Sequence, residues 1–276
     1  MLRDITLGQY YQADSPIHAL DPRTKLVGVF VWIASLFLID NFCAYIVVAA
    51  FLAVVIKLST VPLKFILKGM KAIFFLLMIT VLFNLFLTPG EVIASWWIFQ
   101  VTKEGLRTAI FMALRLSFLI IGSSLLTLTT TPNNLTDGLE SLLSPLKLIK
   151  VPVHEISMMM SIALRFIPIL LEETDKIMKA QEARGADFES GNLIQKVKAM
   201  VPLLVPLFIS AFRRAGDLAM AMEARCYRGG EGRTKMKPLR YRQVDLIAYI
   251  ILAVYLAVCI LVGRFAGAII ALIPLK

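Results

Sequence analysis

Charge is scarce in this sequence: Asp, Glu, Lys and Arg make up 17% of 276 residues, against roughly 25% in an average soluble domain. Apolar residues reach 58%. That excess cannot be hidden in one core, so soluble-enzyme and disordered readings are both excluded. Cysteine is equally sparse. Cys43, Cys226 and Cys259 stand too far apart for a CxxC spacing, which excludes a disulfide framework and a cysteine zinc site. The two histidines, His18 and His154, are isolated, and metal sites need clustered donors. No metal and no cofactor is expected. Acidic residues are nearly absent from the apolar runs, whereas proton-coupled transport leaves ionisable groups at mid-membrane. The GxxxxGKS/T phosphate loop is missing, as is any Ser/His/Asp or Cys/His arrangement. The chain is therefore read as a non-enzyme. Met1 to Pro16 lacks the basic-then-apolar order of a cleaved signal, so the first apolar helix is expected to be retained.

What is present is a series of apolar runs long enough to cross a bilayer, for which roughly 20 residues are needed, with 17–25 the usual range. They fall at about 26–39 once flanks are counted, 42–58, 65–87, 106–129 and from Val244 to about Ile273. Asp40-Asn41 separates the first two. Lys68 and Lys71 lie in the first turns of the third, where long stems snorkel to headgroups. Thr88-Pro89-Gly90 ends that span, and Trp96-Trp97 reads as an interfacial anchor. The fourth carries Arg107 and Arg115, and a lone Arg115 at depth is expected to pair with backbone or a neighbouring helix.

Residues 132–242 differ. They hold 17 of the 29 Lys and Arg, on helices with mixed faces. Pro132 stops the fourth span, and Asn133 to Ser144 reads as a short amphipathic helix ended by Pro145. Two long helices follow, Val153 to about Gly185 and about Leu193 to Cys226, each apolar first and charged afterwards. Glu172–Lys176 and Asp175–Lys179 are acid-before-base pairs at i,i+4, the pattern of a solvated face. The apolar parts, Ile156–Leu171 and Met200–Phe212, are short for spans, and orientation alone leaves open whether they cross the bilayer or lie along it.

Basic residues concentrate on the cytoplasmic side of membrane proteins. With the N-terminus and residues 132–242 inside, 24 Lys and Arg are cytoplasmic and only Lys103, Arg264 and Lys276 lie outside. The expectation is an all-α polytopic membrane protein of about five spans with a coupling domain of long amphipathic helices. Residues 1–131 form an N-terminal membrane domain, 132–242 a cytosolic-side domain inserted before the last span, and 243–276 that span. The basic balance belongs to the membrane, and no nucleic-acid partner is implied.

The two long helices end alike, in Ala180-Gln181-Glu182-Ala183-Arg184 and Ala221-Met222-Glu223-Ala224-Arg225. Both read Ala-x-Glu-Ala-Arg, 41 residues apart. Ala180, Ala183 and Arg184 share one helix face, as do Ala221, Ala224 and Arg225. Small side chains beside each Arg let a partner's backbone approach while the guanidinium reaches a carboxylate with two hydrogen bonds. Taken singly, each Arg is explained as a cation in a last helical turn followed by a C′ residue. The repetition is not, because capping demands no Glu-Ala before the Arg. Matching ends also argue for one side of the membrane.

The motifs Ala183-Arg184-Gly185 and Ala224-Arg225-Cys226 resemble those of the T component of energy-coupling factor transporters. So do the stretch from His18 to Leu26, Thr130-Thr131-Pro132, and Ala163-Leu164-Arg165-Phe166-Ile167-Pro168, over nearly the whole chain and in the same order. Cys226 departs from the glycine more common there. The resemblance implies a scaffold in a bacterial or archaeal cell membrane that joins two cytosolic ABC-type ATPase subunits to a substrate-binding S component. Arg184 would meet one ATPase and Arg225 the other. The cargo class it implies is vitamins, or nickel and cobalt ions. Met158-Met159-Met160 with Leu203, Leu204, Leu207 and Phe208 would bear against the S component, since methionine-rich surface re-packs against differing partners; helix packing within the chain is the other reading of those residues. Gly263 and Gly267 permit close helix approach in the last span. The competing function is a conventional ABC importer permease that lines the substrate path itself.

Overall fold

The computed structural model describes residues 10–39, 41–96, 99–186, 188, 192–230, 234 and 236–272. Asp40, Trp97, Arg3, Lys276 and Ile273, used above, lie outside them. Among the described residues the regular elements are helices and one small hairpin. In chain order they form α1 (Pro22–Leu38), α2 (Phe42–Ser59), α3 (Leu63–Leu87), β1 (Val92–Trp96), β2 (Phe99–Thr102), α4 (Lys103–Thr129) and α5 (Pro132–Leu143). A 3₁₀ turn (Ser144–Ile149), α6 (Val153–Ala183), α7 (Leu193–Ala224) and α8 (Gln243–Leu272) follow.

By length and composition α2, α4, α6 and α8 are each able to cross a membrane, and α3 as well, bent by 61° between Lys71 and Ile73. α1 adds a 17-residue apolar helix, at the lower end of the spanning range. The chain is an all-α polytopic membrane protein. The apolar half of α6, read from sequence as short for a span, thus sits in a 31-residue helix that runs through Pro168. α7 likewise runs through Pro202 and Pro206 for 32 residues. The hairpin was not anticipated. β1 and β2 pair antiparallel, Trp96 opposite Phe99 and Val92 opposite Thr102, with an irregularity between Val92 and Ala94. Thr102 then caps α4 by accepting from the Gly105 N–H at 3.0 Å, so α4 starts three residues before the expected Leu106.

The chain divides into two compact units. One, here the membrane unit, comprises the described residues up to Gly138 together with Leu239–Leu272; the other lies within residues 139–238. In the membrane unit α1 packs on α4 and α8, α2 on α4 and α8, and α3 on α4. Its core joins Trp32, Leu36, Ala44, Tyr45, Val48, Leu52, Leu125 and Tyr255. Phe51 stacks on Tyr255 with ring centroids 4.2 Å apart, and Trp32 stacks at 6.0 Å from Phe51 and 5.9 Å from Tyr255. Such aromatic pairs add about 0.5–1.5 kcal/mol beyond their burial. Gly122 on α4 is required here: a Cβ at that position would run into the Trp32 indole.

Several polar side chains in this unit tie one helix to another or to the backbone. Arg115 donates to the Ile39 carbonyl at 3.0 Å and the Tyr45 hydroxyl at 3.1 Å, the backbone-and-neighbour pairing expected of it. Asp21 caps α1, its Oδ1 accepting from the Arg23 N–H at 2.9 Å, with Pro22 in the first turn. Asp245, in the first turn of α8 and 1% exposed, accepts from the Asp21 N–H and the Arg242 N–H, both at 2.8 Å. One carboxylate therefore ties the start of α8 to the start of α1 across 224 residues.

Candidate functional site

The matched pentads fold into matched ends. In α6 the Gly185 N–H donates to the Glu182 carbonyl at 2.9 Å and the Ala186 N–H to the Gln181 carbonyl at 3.0 Å. In α7 the Cys226 N–H donates to the Glu223 carbonyl at 2.8 Å and the Tyr227 N–H to the Met222 carbonyl at 3.0 Å. Position for position this is one capping pattern, a 5→2 and a 6→1 hydrogen bond closed by a left-handed residue. Gly185 has φ 88° and Cys226 has φ 55°. Cys226 therefore occupies a conformation that costs a side-chain-bearing residue roughly 1–2 kcal/mol and glycine almost nothing. Its departure from glycine bears on the cap as well as on close approach by a partner.

The cap also explains where each Arg points its backbone. Arg184 and Arg225 are the residues at which the helix stops, each followed by the reversal, so each guanidinium stands on a fixed tip. Ala180, Ala183, Arg184 and Gly185 are all exposed, and so are Ala221, Ala224, Arg225 and Cys226. Neither Arg makes an ion pair with a described residue. Each tip is thus an exposed cation beside a strip of exposed methyl groups, with no acid among the described residues holding the charge.

Sequence reasoning missed what pins the two helices together. Arg214 on α7 donates to Glu173 on α6 at 3.2 Å. Glu173 precedes Arg184 by eleven residues, and Arg214 precedes Arg225 by the same number. The 41-residue offset that relates the pentads also relates this pair, and the repeat was the signal that could have found it. At 1.5 Å rise per residue each tip lies roughly 16 Å along its own helix from the pin. Next to the pin, Ile162, Phe166 and Leu170 of α6 and Ala211, Ala215 and Leu218 of α7 line a cavity of about 280 Å³. The start of α6 is held too: Glu140 of α5 accepts from Ser157 at 3.0 Å and meets His154 Nδ1 at 2.9 Å.

The apolar residues singled out from sequence divide by burial. Met159 is 59% exposed, Met160 41%, Leu204 48% and Phe208 60%. Met158 and Leu207 are half-buried. Leu203 is 8% exposed, turned inward and unavailable as a contact. Among the described residues no cluster of three or more His, Cys, Asp or Glu is placed to hold a metal ion.

Comparison with known proteins decides the family. The model of the CbiQ family, described as a cobalt transport protein, matches residues 13–236. The energy-coupling factor transporter transmembrane protein EcfT of Clostridium kluyveri is 57% identical over 263 residues, covering 95% of this chain and 97% of that protein. EcfT of Ruminiclostridium cellulolyticum is 54% identical over 261 residues, 95% and 98% of the two chains. EcfT of Bacillus subtilis is 49% identical over 260 residues, 93% and 98%. The chain belongs to this family. It is a membrane subunit of transport, its apolar helices fit a membrane setting, and both matched helix ends lie within the stretch that the family model covers.

Proposed function

We propose that the chain is the coupling scaffold of an energy-coupling factor importer, and that its two Arg-tipped helix ends each dock on one of two cytosolic ABC-type ATPase subunits. The observation that carries this is the equality of the ends: same pentad, same cap, same exposed Arg beside alanine. Two equal plugs on one chain suit two equal sockets, which a pair of ATPases presents and a single partner does not. The N-terminus and residues 132–242 lie on the cytoplasmic side in this reading, supported by the 24-to-3 distribution of basic residues.

ATP is bound and hydrolysed on the partners. Their closure moves the sockets; the tips follow, and the Glu173–Arg214 pin makes α6 and α7 turn about a point equally far from both. The exposed apolar side chains Met159, Met160, Leu204 and Phe208 then bear on a membrane-embedded S component, which holds the cargo, a micronutrient such as a vitamin or a nickel or cobalt ion. The chain itself takes no cofactor.

The test is capture of the ATPases by tagged chain from detergent extract. Losing one partner of a desolvated charge pair costs about 2–5 kcal/mol. Arg184→Ala or Arg225→Ala alone is expected to weaken capture while the remaining contact keeps partial assembly, and the double variant to lose both ATPases and uptake. Undiminished co-purification with the double variant overturns the docking reading.

A further inference from the structure

The segment that follows the second tip folds back onto the chain. Cys226 closes α7, the Tyr227 N–H bonds back to the Met222 carbonyl, and Gly229 turns the backbone again at φ 90°. Gly230 then comes to rest on His154. A Cβ at Gly230 would stand 2.8 Å from His154 Cγ and closer still to Cδ2, against the roughly 3.5–4.0 Å of an unstrained carbon contact. Only glycine lets the backbone approach the ring so closely. Gly230 is five residues after Arg225, at most about 18 Å of chain, so whatever fixes the ring limits where the tip can stand.

The ring is fixed from α5. His154 Nδ1 donates to Glu140 Oε1 at 2.9 Å, and Ser157, one turn along α6, donates to Glu140 Oε2 at 3.0 Å. Both carboxylate oxygens therefore hold α6, and the imidazole cannot turn without giving up its bond. Its other nitrogen, Nε2, is covered by protein and meets no partner among the described residues. An orphaned buried nitrogen costs stability, and a leucine or phenylalanine would fill the space without one. What the imidazole adds is the donor that Glu140 locks. We propose that Glu140 and His154 are positioning residues for the Arg225 tip: they brace the segment Cys226–Gly230 and so set where that plug stands. Arg184 ends α6 at the opposite end from His154, and among the described residues nothing comes within 4 Å of a Cβ placed on Gly185. The two plugs are alike in shape and unlike in support.

The brace rests on the docking reading, and capture of the ATPases by tagged full chain from detergent extract separates the two. In chain carrying Arg184→Ala, where Arg225 is the remaining plug, Gly230→Ala is expected to lower capture about ten-fold, one step of 1.4 kcal/mol in binding. In chain carrying Arg225→Ala the same change is expected to leave capture as it was. Loss in both backgrounds is a general effect on the fold and overturns the brace, as does loss in neither or loss with Arg184 alone remaining. Capture retained by the double Arg variant overturns docking itself, whatever Gly230→Ala does. His154→Ala is expected to repeat the pattern of Gly230→Ala. His154→Asn, whose amide donates from the place of Nδ1, is expected to hold the capture that His154→Ala loses, and equal loss by both overturns the part given to Glu140.

Discussion

Among the described residues, every buried apolar side chain except Val153 and Leu203 belongs to the membrane unit. That unit closes an interior of its own: the stack of Trp32, Phe51 and Tyr255, and the carboxylate of Asp245 on two backbone N–H groups. Residues 139–238 close almost none. Met160, Phe208 and Phe212 stand exposed on α6 and α7, and those helices are far more one-sided than α1, α2, α3, α4 or α8. A lipid-facing helix is apolar all round, whereas an apolar stripe opposite a charged face belongs to a helix whose surroundings differ on its two sides. One region builds an interior from its own side chains; the other leaves an apolar stripe that the described residues do not cover.

The sharpest way to break that contrast is to remove the tips. Arg184→Ala with Arg225→Ala changes no contact that a described residue makes, so thermal unfolding of the purified chain is expected to be unchanged while ATPase capture is lost. A large fall in unfolding temperature would mean that the tips serve the chain's own stability, and the contrast would fail. Asp245→Ala is the converse. It strips the acceptor from the Asp21 and Arg242 N–H groups, and leaving buried donors unsatisfied costs about 1–3 kcal/mol each. The expected result is a membrane unit destabilised by about 2–5 kcal/mol, seen as faster hydrogen exchange at the starts of α1 and α8, with the α6 and α7 ends unaffected.

The same three residues show what sequence could and could not carry. The apolar runs of α1 to α4 and α8 were legible because a span writes its length into composition, and the ends of α6 and α7 because the pentad occurs twice. Asp245 was not legible. In Arg242-Gln243-Val244-Asp245 it resembles any solvated flank, and its second partner is a backbone N–H 224 residues away; only its place three residues after Arg242, the offset of a capping carboxylate, hinted at a role. The hairpin was lost for a different reason, since strands of five and four residues are too short for alternation to stand out from the apolar background. Leu203 was grouped with Leu204, Leu207 and Phe208 because a two-faced helix was read by its run and not by its face, and of those two readings its burial fits packing within the chain. Cys226 was read only as a departure, although its offset from Ala224 already placed it where a left-handed residue closes the helix.

That offset supplies the next prediction, which compares the two tips directly. Cys226→Gly removes the side-chain penalty at φ 55° and is expected to stabilise the end of α7 by roughly 1 kcal/mol. Gly185→Cys at φ 88° is expected to destabilise the end of α6 by a similar amount. Local hydrogen exchange reads both. Equal signs would mean that the two caps are not equivalent.

The smallest expected effect on stability tests the pin. Glu173 and Arg214 side chains are 28% and 40% exposed, and ion pairs so open to solvent are worth about 0–1 kcal/mol. Arg214→Leu should therefore hardly move the unfolding temperature, and it leaves both tips in place. If α6 and α7 act only as two separate plugs, ATPase capture and uptake both persist. If the pin makes them one lever, capture persists while uptake per ATP hydrolysed falls, because each tip then moves without moving the other. Measuring the two quantities on the same vesicles separates the cases, and charge reversal at both positions, Glu173→Arg with Arg214→Glu, is expected to restore transport.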